Sequence, residues 1–359
     1  MLNNIGNLVI IPLLLSTIFC YLITPLVIKI AWKTRIIDDP KKHKHAKVIH
    51  TKPIPRGGGL AIFLAVFFSV LILLPLDKHI LGIMLGATVL VVMGIVDDIS
   101  TNRPQFTLSP YLRLFIQFIA ALMPIGAGIG IAYLFNTSLD LSAPRISFEL
   151  LGGTHSIWVL ADLFALFWIV SIINFVNMGA KGVDGQLSGV VVISALTIAI
   201  LSFRFSADIT EWPVTILASI TAGAFLGFLP WHIFPQKIMP SFAGSNLAGY
   251  LLAVLAILST TKTGTLMVVL AIPLIDTSYT IIRRILSGKS PLKGDTGHLH
   301  HRLLHAGLTK SQVAYLYWAI TATLGFLALN LNSEFKLYTI VGVTLFLGGL
   351  LLWLTRKSK

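Results

Sequence analysis

Apolar residues in this chain neither recur with the period of a half-exposed helix nor alternate as in a half-buried strand. They come in long, almost unbroken runs separated by short polar intervals. Eleven runs can be read, near 7–32, 57–76, 79–96, 111–134, 156–176, 187–203, 213–231, 243–259, 264–282, 313–331 and 336–355. Each is close to the ~20 residues a helix needs to cross the hydrocarbon of a bilayer. The pattern predicts an all-α polytopic membrane helix bundle of eleven transmembrane helices, with residues 1–359 forming one integral membrane domain.

Composition agrees. Hydrophobic residues make up 55% of the chain, charged residues only 11%, and the mean hydropathy is +0.86. A soluble domain is about a quarter charged. Cys20 is the single cysteine and lies inside the first run, so an intrachain disulfide is excluded. The stretch from Met1 to Asn7 is uncharged and the run after it is too long for a signal core, so no cleavable signal is expected.

The net charge of +13 is placed unevenly. If successive loops face alternate sides, one side receives the basic loop 33–56, the loops near 97–110, 177–186 and 232–242, the interval 283–304 and the basic tail. The other receives only Lys78, Arg145, Arg204, Lys262 and Lys336. The excess of cations predicts that the first side is cytoplasmic, with an external N-terminus and a cytoplasmic C-terminus. The expected location is the cell membrane, with the chemistry on its cytoplasmic face.

The candidate chemistry lies in the polar intervals of that face. The longest, residues 283–304, crowds Arg283, Arg284, Asp295, His298, His300, His301 and Arg302 between two apolar runs. Imidazoles at this density can exchange protons near neutral pH, donate to phosphate or hold a metal. The first loop carries Asp38, His50, Lys52 and Arg56, and then Gly57, Gly58 and Gly59, whose backbone can come close to a ligand. Its cations attract phosphate or anionic lipid, and they also hold the loop inside. Asp97 and Asp98 close the third run, where adjacent carboxylates require a compensating cation, water or metal. They can hold Mg²⁺, which prefers oxygen ligands. Asn174 and Asn177 share a helix face, and Lys181 and Asp184 follow in a glycine-rich turn suited to phosphate and to metal or base. Asp276 lies within an apolar run, where an acid is expensive and often functional. Asp162 lies near an external end and is expected to be hydrated.

The order of these motifs resembles the polyprenyl-phosphate N-acetylhexosamine-1-phosphate transferases, the group that includes the phospho-N-acetylmuramoyl-pentapeptide transferases. The resemblance runs through Asp38-x-Pro40, His50-x-x-Pro53-x-Pro55-Arg56, Asp97-Asp98 with Leu108-Ser109-Pro110, and Asn174-x-x-Asn177. It continues through Asp184-Gly185, Lys237-Ile238, Gly244-Ser245, Asp276-Thr277 and Arg283-Arg284 to His298-Leu299-His300-His301-Arg302. Singly these motifs are weak; in series over most of the chain they are specific.

The resemblance implies that a polyprenyl phosphate attacks the β-phosphate of a UDP-linked amino sugar, releasing UMP and starting a cell-envelope glycan. It implies Mg²⁺, with Mn²⁺ as a substitute, held by Asp97, Asp98 and Asp184. Catalytic roles fall to Asp97, Asp98, His298, His300 and His301. Substrate contacts fall to His50, Lys52, Arg56, Asn174, Asn177, Lys181, Asp184 and Arg302. The expected partners are the UDP-sugar, polyprenyl phosphate, the bilayer and a second copy of the chain, but no nucleic acid.

Three positions depart from the pattern. Lys181 stands where the family places the first acid of Asn-x-x-Asp-Gly-x-Asp-Gly, Phe242 stands where it places a metal-binding Asp, and His232 replaces an Asn. The alternative reading is therefore a catalytically silent homologue that binds polyprenyl phosphate or acts as a scaffold. A transporter is disfavoured by the absence of an apparent inverted repeat. A Zn²⁺ hydrolase is disfavoured because His-x-His-His lacks a compact set of known ligands.

Overall fold

Inside a bilayer no water satisfies the backbone, so apolar runs fold as helices that bond internally. The computed structural model describes residues 2–41, 50–101, 108–131, 145–150, 153–258, 262–291, 295 and 297–357. In chain order the helices are α1 (Gly6–Lys33), α2 (Gly58–Leu73), α3 (Lys78–Thr101), α4 (Pro110–Gly126), α5 (Val159–Gly179) and α6 (Gln186–Arg204). They continue as α7 (Trp212–His232), α8 (Ser241–Ile257), α9 (Lys262–Val269), α10 (Ala271–Leu286), α11 (Leu299–His305), α12 (Lys310–Asn330) and α13 (Ser333–Lys357). The chain is a helical, multi-pass membrane protein.

Among the described residues seven helices are long and apolar enough to cross a bilayer, or eight if the bent pair α9–α10 is one span. Helices α2, α4 and α8, with 16, 17 and 17 residues, are apolar but shorter. At 1.5 Å per residue they reach about 24–26 Å, against a hydrocarbon core of about 30 Å. The run 264–282, read from sequence as one helix, is broken by a 77° bend between α9 and α10. Pro273 has no N–H to offer the carbonyl four residues back, at Val269, which is where α9 ends.

Two antiparallel hairpins interrupt the all-α expectation. Strands β1 (Ile37–Asp38) and β2 (Ile54–Pro55) pair in the first polar loop. Strands β3 (Arg145–Leu150) and β4 (Gly153–Trp158) pair ahead of α5, and β4 takes the first three residues of the run 156–176 read from sequence as a span. The stretch Arg145-Ile146-Ser147-Phe148-Glu149-Leu150 alternates strictly between polar and apolar residues, which is a strand signal.

Helix α8 is buried along its whole length, as an all-round apolar helix must be. Helices α2, α3, α5, α6, α7 and α9 pack around it. Small residues permit this closeness, because helices in lipid associate through tight backbone packing. A Cβ at Gly59 would lie 2.2 Å from the Gly244 nitrogen, and one at Gly94 would lie 2.4 Å from Ala243 Cβ. The start of α8 is thereby fixed against the start of α2 and the final turns of α3.

Candidate active site

Asp97 and Asp98, in the final turns of α3, are 3% and 1% exposed. Buried carboxylates need cationic partners, and each has a guanidinium. Arg113 Nη2 of α4 lies 2.7 Å from Asp97 Oδ1, and Arg56 Nε lies 3.3 Å from Asp98 Oδ1. Arg56 follows β2, whose pairing with β1 brings up Asp38, 3.9 Å from Arg56 Nη1 and 3.9 Å from His50 Nε2. Gly57, at φ +91°, turns the chain from this hairpin into α2, a conformation that favours glycine. Its N–H donates to Ser241 Oγ at 3.2 Å, and that of Gly58 donates to the Met239 carbonyl at 2.9 Å. At Gly58 and Gly59 the close approach is made to α7, α8 and the segment between them.

Lys181 reaches the same place from the turn after α5. Its Nζ donates to Asn177 Oδ1 at 2.9 Å, Ser245 Oγ at 3.1 Å and the Ser241 carbonyl at 3.3 Å. Ser245 Oγ also donates to Asn177 Oδ1 at 2.7 Å. Ser241 has φ +59°, a left-handed backbone that a non-glycine residue adopts only when its surroundings enforce it. Burial, followed by the charge of Arg56, pushes the Lys181 ammonium down to about 8, with Asp98 and Asp97 opposing. Asn174 lies deeper. Its Nδ2 donates to Gln117 Oε1 at 2.6 Å, Gln117 Nε2 to Asn246 Oδ1 at 2.7 Å, and Asn246 Nδ2 to the Phe242 carbonyl at 2.7 Å. This chain of amides ties α4, α5 and α8 together beneath the charged groups.

The histidines are held by an acid from α10. Asp276 Oδ2 pairs with His298 Nδ1 at 2.9 Å, and its Oδ1 accepts from the Leu299 N–H at 2.8 Å, fixing the start of α11. The His298 and His300 rings stack with centroids 5.6 Å apart, and His301 lies 4.4 Å from His300. A Cβ at Gly182 would sit 2.2 Å from His300 Cγ, so the bare backbone there lets this imidazole cover the turn that carries Lys181. Burial, and then the charges of His301 and His298, hold His300 well below its ordinary range. Asp295 accepts from Arg283 and from Arg284 Nη1, the latter at 2.8 Å. Burial opposes its ionisation, but bonds from Arg284, the Gly297 N–H and Arg283 hold it at about 2. Arg302 donates to the Gly297 carbonyl at 2.8 Å and the Leu351 carbonyl at 2.9 Å, bracing α11 against α13.

The expected site residues thus fall into groups. Asp97, Asp98, Arg56, Asn177 and Lys181 meet at the end of α3, and His300, with His298 and His301 against its ring, covers the adjoining turn. Asp184 is elsewhere: it accepts from the Gln236 N–H at 3.3 Å and Gln236 Nε2 at 3.0 Å, with Lys310 Nζ 3.8 Å away. It lines a cavity of about 680 Å³ together with His50, Lys52, Trp231, Gln236 and Lys310, and none of Asp97, Asp98 or Lys181 lines it. His232 bonds Ser188 Oγ through Nδ1 at 2.8 Å. The cations read at positions 42, 44 and 47 and the histidines at 43 and 45 lie outside the described residues.

Arg113 and Ser241 belong to this arrangement and are absent from the residues singled out by sequence; Ser245 and Asp276 are read there as motif residues, and the structure gives each a partner in the site. Arg113 had a signal, being the one charged residue in the run 111–134.

The arrangement does not fit a Mg²⁺ ion. Mg²⁺ is commonly held by one or two carboxylates with water and phosphate, and both carboxylates at the end of α3 are already paired with guanidiniums. Of the three carboxylates expected to share it, Asp97 and Asp98 lie together but face Arg113 and Arg56, and Asp184 lies apart with Gln236 and Lys310. The Phe242 ring lies 5.3 Å from Arg113 Cζ and offers no oxygen to a metal. A dication here would enter a cluster already holding two guanidiniums and an ammonium.

Known proteins resemble this chain over most of its length. The description Glycosyl transferase family 4 matches residues 80–260, which include Asp97, Asp98, Arg113, Asn177, Lys181 and the whole of α8. A probable undecaprenyl-phosphate N-acetylglucosaminyl 1-phosphate transferase of Bacillus subtilis is 31% identical over 335 residues, covering 90% of this chain and 85% of that protein. A decaprenyl-phosphate N-acetylglucosaminephosphotransferase of Mycobacterium leprae is 28% identical, covering 85% and 79%. An undecaprenyl-phosphate alpha-N-acetylglucosaminyl 1-phosphate transferase of Haemophilus influenzae is 30% identical, covering 81% and 79%. With half its length matched by the family's pattern and most of it aligned to such relatives, this chain belongs to glycosyl transferase family 4.

Proposed function

We propose that this protein transfers a sugar-1-phosphate from a UDP-N-acetylhexosamine, with N-acetylglucosamine the sugar named for its relatives, to polyprenyl phosphate. The product is a polyprenyl-diphospho-sugar that starts a cell-envelope glycan, and UMP leaves. The observation that carries the reading is the convergence of Arg56 and Arg113 on the buried Asp97–Asp98 pair at one end of a membrane bundle, with Lys181 close enough to feel both carboxylates. A phosphate on a lipid tail and a soluble diphosphate can meet only at such a boundary.

An oxygen of the lipid phosphate attacks the β-phosphorus, forming a new P–O bond, while the bond between that phosphorus and the oxygen bridging to UMP breaks. Such transfers depend mostly on positioning and on neutralising charge spread over the phosphoryl oxygens. Arg56, Arg113 and Lys181 supply that charge. Asp97 accepts any proton remaining on the lipid phosphate and keeps the nucleophile anionic. The neutral His300 and its neighbours close the turn beside Lys181 and exclude water. The family is typically metal-dependent, but the side chains of this chain are not arranged for that role, and no step here is routed through a metal.

The proposed topology has eleven spans. Helices α2, α4 and α8 cross with some local thinning of the bilayer, and α9–α10 cross as one broken span. The site then faces the cytoplasm, where UDP-sugars are found. The test is purified protein supplied with radiolabelled UDP-N-acetylhexosamines and polyprenyl phosphate, with and without Mg²⁺, and scored for lipid-linked label. Label in the lipid phase with release of UMP is expected. Binding of polyprenyl phosphate without transfer of any of these sugars would establish the silent-homologue alternative.

A further inference from the structure

We propose that the Lys181 ammonium is a resident cation that takes the place of a divalent metal beside Asp97 and Asp98, so that donor binding and transfer by this protein need no metal ion. The inference rests on the transferase reading above and deepens it.

Four observations carry it. The acceptors of Lys181 are all uncharged: the Asn177 amide oxygen, the Ser245 hydroxyl and the Ser241 carbonyl, at 2.9, 3.1 and 3.3 Å. None of these bonds cancels its charge in an ion pair. Three groups in a fixed arrangement hold it, and one of them comes from a residue kept in the left-handed region. The neighbouring carboxylates are already met by guanidiniums, Asp97 by Arg113 and Asp98 by Arg56. Finally, Phe242, next to Ser241, offers a ring rather than an oxygen, and that ring lies under Arg113. The two carboxylates are thus matched by guanidiniums, and the Lys181 charge is left over for an anionic ligand.

A lysine ammonium is a compact point charge able to meet phosphate. With three N–H groups on neutral acceptors, it can give up the longest bond, to the Ser241 carbonyl, and donate to a donor phosphate oxygen instead. Transfer then proceeds as written above: one P–O bond forms, one breaks, the electron pair leaves on UMP, and Lys181 keeps its proton throughout.

The experiment uses the full chain in detergent, with UDP-N-acetylglucosamine as donor probe and Mn²⁺ as a spectroscopic metal probe. For the unaltered protein, calorimetry should give the same donor affinity in EDTA as in Mg²⁺. Electron paramagnetic resonance should show Mn²⁺ remaining free, and transfer should persist in EDTA. Lys181→Met, which keeps the apolar stem, should lose donor affinity at least tenfold without losing its thermal transition. The double variant Lys181→Asp with Phe242→Asp should gain bound Mn²⁺ and donor binding that EDTA abolishes.

If the unaltered protein binds Mn²⁺ stoichiometrically and transfers sugar-phosphate only with a divalent ion, the resident-cation proposal is overturned while the transferase reading stands. If it neither binds donor nor transfers under any condition, the transferase reading fails and takes this inference with it.

Discussion

At the scale of single residues, Asp97 is the carboxylate that meets Arg113, so removing its charge should register directly in the chemistry. Asp97→Asn keeps the side-chain shape but leaves Arg113 without its anionic partner at 2.7 Å. Transfer should fall by roughly 10²–10³-fold, as when one transition-state contact is removed, while the thermal transition in detergent stays in place. Near-normal turnover in this variant would separate Asp97 from the reaction. Lys181 adds a pH signature. Burial and Arg56 bring its ammonium down to about 8, so it is charged below that value and neutral above it. Donor affinity should therefore decline as pH rises through about 8, and Lys181→Met should show a weak, flat profile in its place. His300 acts on stability in the other direction. Its folded-state affinity for a proton is depressed, chiefly by burial, from the ordinary value of 6.5. The unfolded chain then binds more protons as pH falls through 6.5, and stability is lost on acidification. His300→Asn should flatten that loss of melting temperature below pH 6.5, and an unchanged slope would assign the acid sensitivity to other groups.

At the scale of elements, the site depends on how closely α2, α3 and α8 approach. Gly59 lies against the α8 backbone, where an added Cβ would meet the Gly244 nitrogen at 2.2 Å and Ala243 Cβ at 2.6 Å. Gly59→Ala must push α2 outward, an overpacking that typically costs about 1–3 kcal/mol. It should also draw Arg56, three residues earlier, away from Asp98. Gly126→Ala, where nothing lies within 4 Å of the new methyl, serves as the control. The expected result is a lower melting temperature and lower turnover for Gly59→Ala alone. Much of this was legible in the sequence: the helices from their apolar runs, the boundary chemistry from Asp97-Asp98, and the polar turns from their glycines. The partners of those groups were not legible. Arg113 faces Asp97 across a loop between two helices, Asp276 reaches His298 from within an apolar run, and the amide chain from Asn174 through Gln117 to Asn246 joins three helices. Run lengths and local spacing say nothing about which helices touch. The bend at Leu270 had a local cause in Pro273, and the β3–β4 hairpin had one in its alternation; each was masked by the apolar content around it.

At the scale of the whole molecule, the contacts sort helix ends into two sets. One set gathers the end of α3, the start of α4, the end of α5 and the start of α8 around Asp97, Asp98 and Lys181, with the histidines of α11 on the adjoining turn. Lys310, at the start of α12, meets Asp184, just ahead of α6. The other set joins the opposite termini. Arg204, ending α6, donates to the Leu329 carbonyl near the end of α12, and Lys336, near the start of α13, donates to Thr265 near the start of α9 at 2.9 Å. Arg204 and Lys336 are among the few cations that loop alternation assigned to the sparsely charged side. The alternation holds only if α9 and α10 cross as a single broken span, because counting them as two would place the histidines at the far end from Lys181. This ties topology to chemistry. A fluorescent reporter fused after Lys359 should fold in the cytoplasm and glow, and a phosphatase inserted in the loop 136–155 should be active outside. Removing the positive charges of the loop 33–56 should weaken this orientation, since loop lysines and arginines set it. A phosphatase active after Lys359, with the 136–155 fusion silent, would put the charged cluster outside, away from nucleotide-sugars. The proposed transfer would then have no donor at its site.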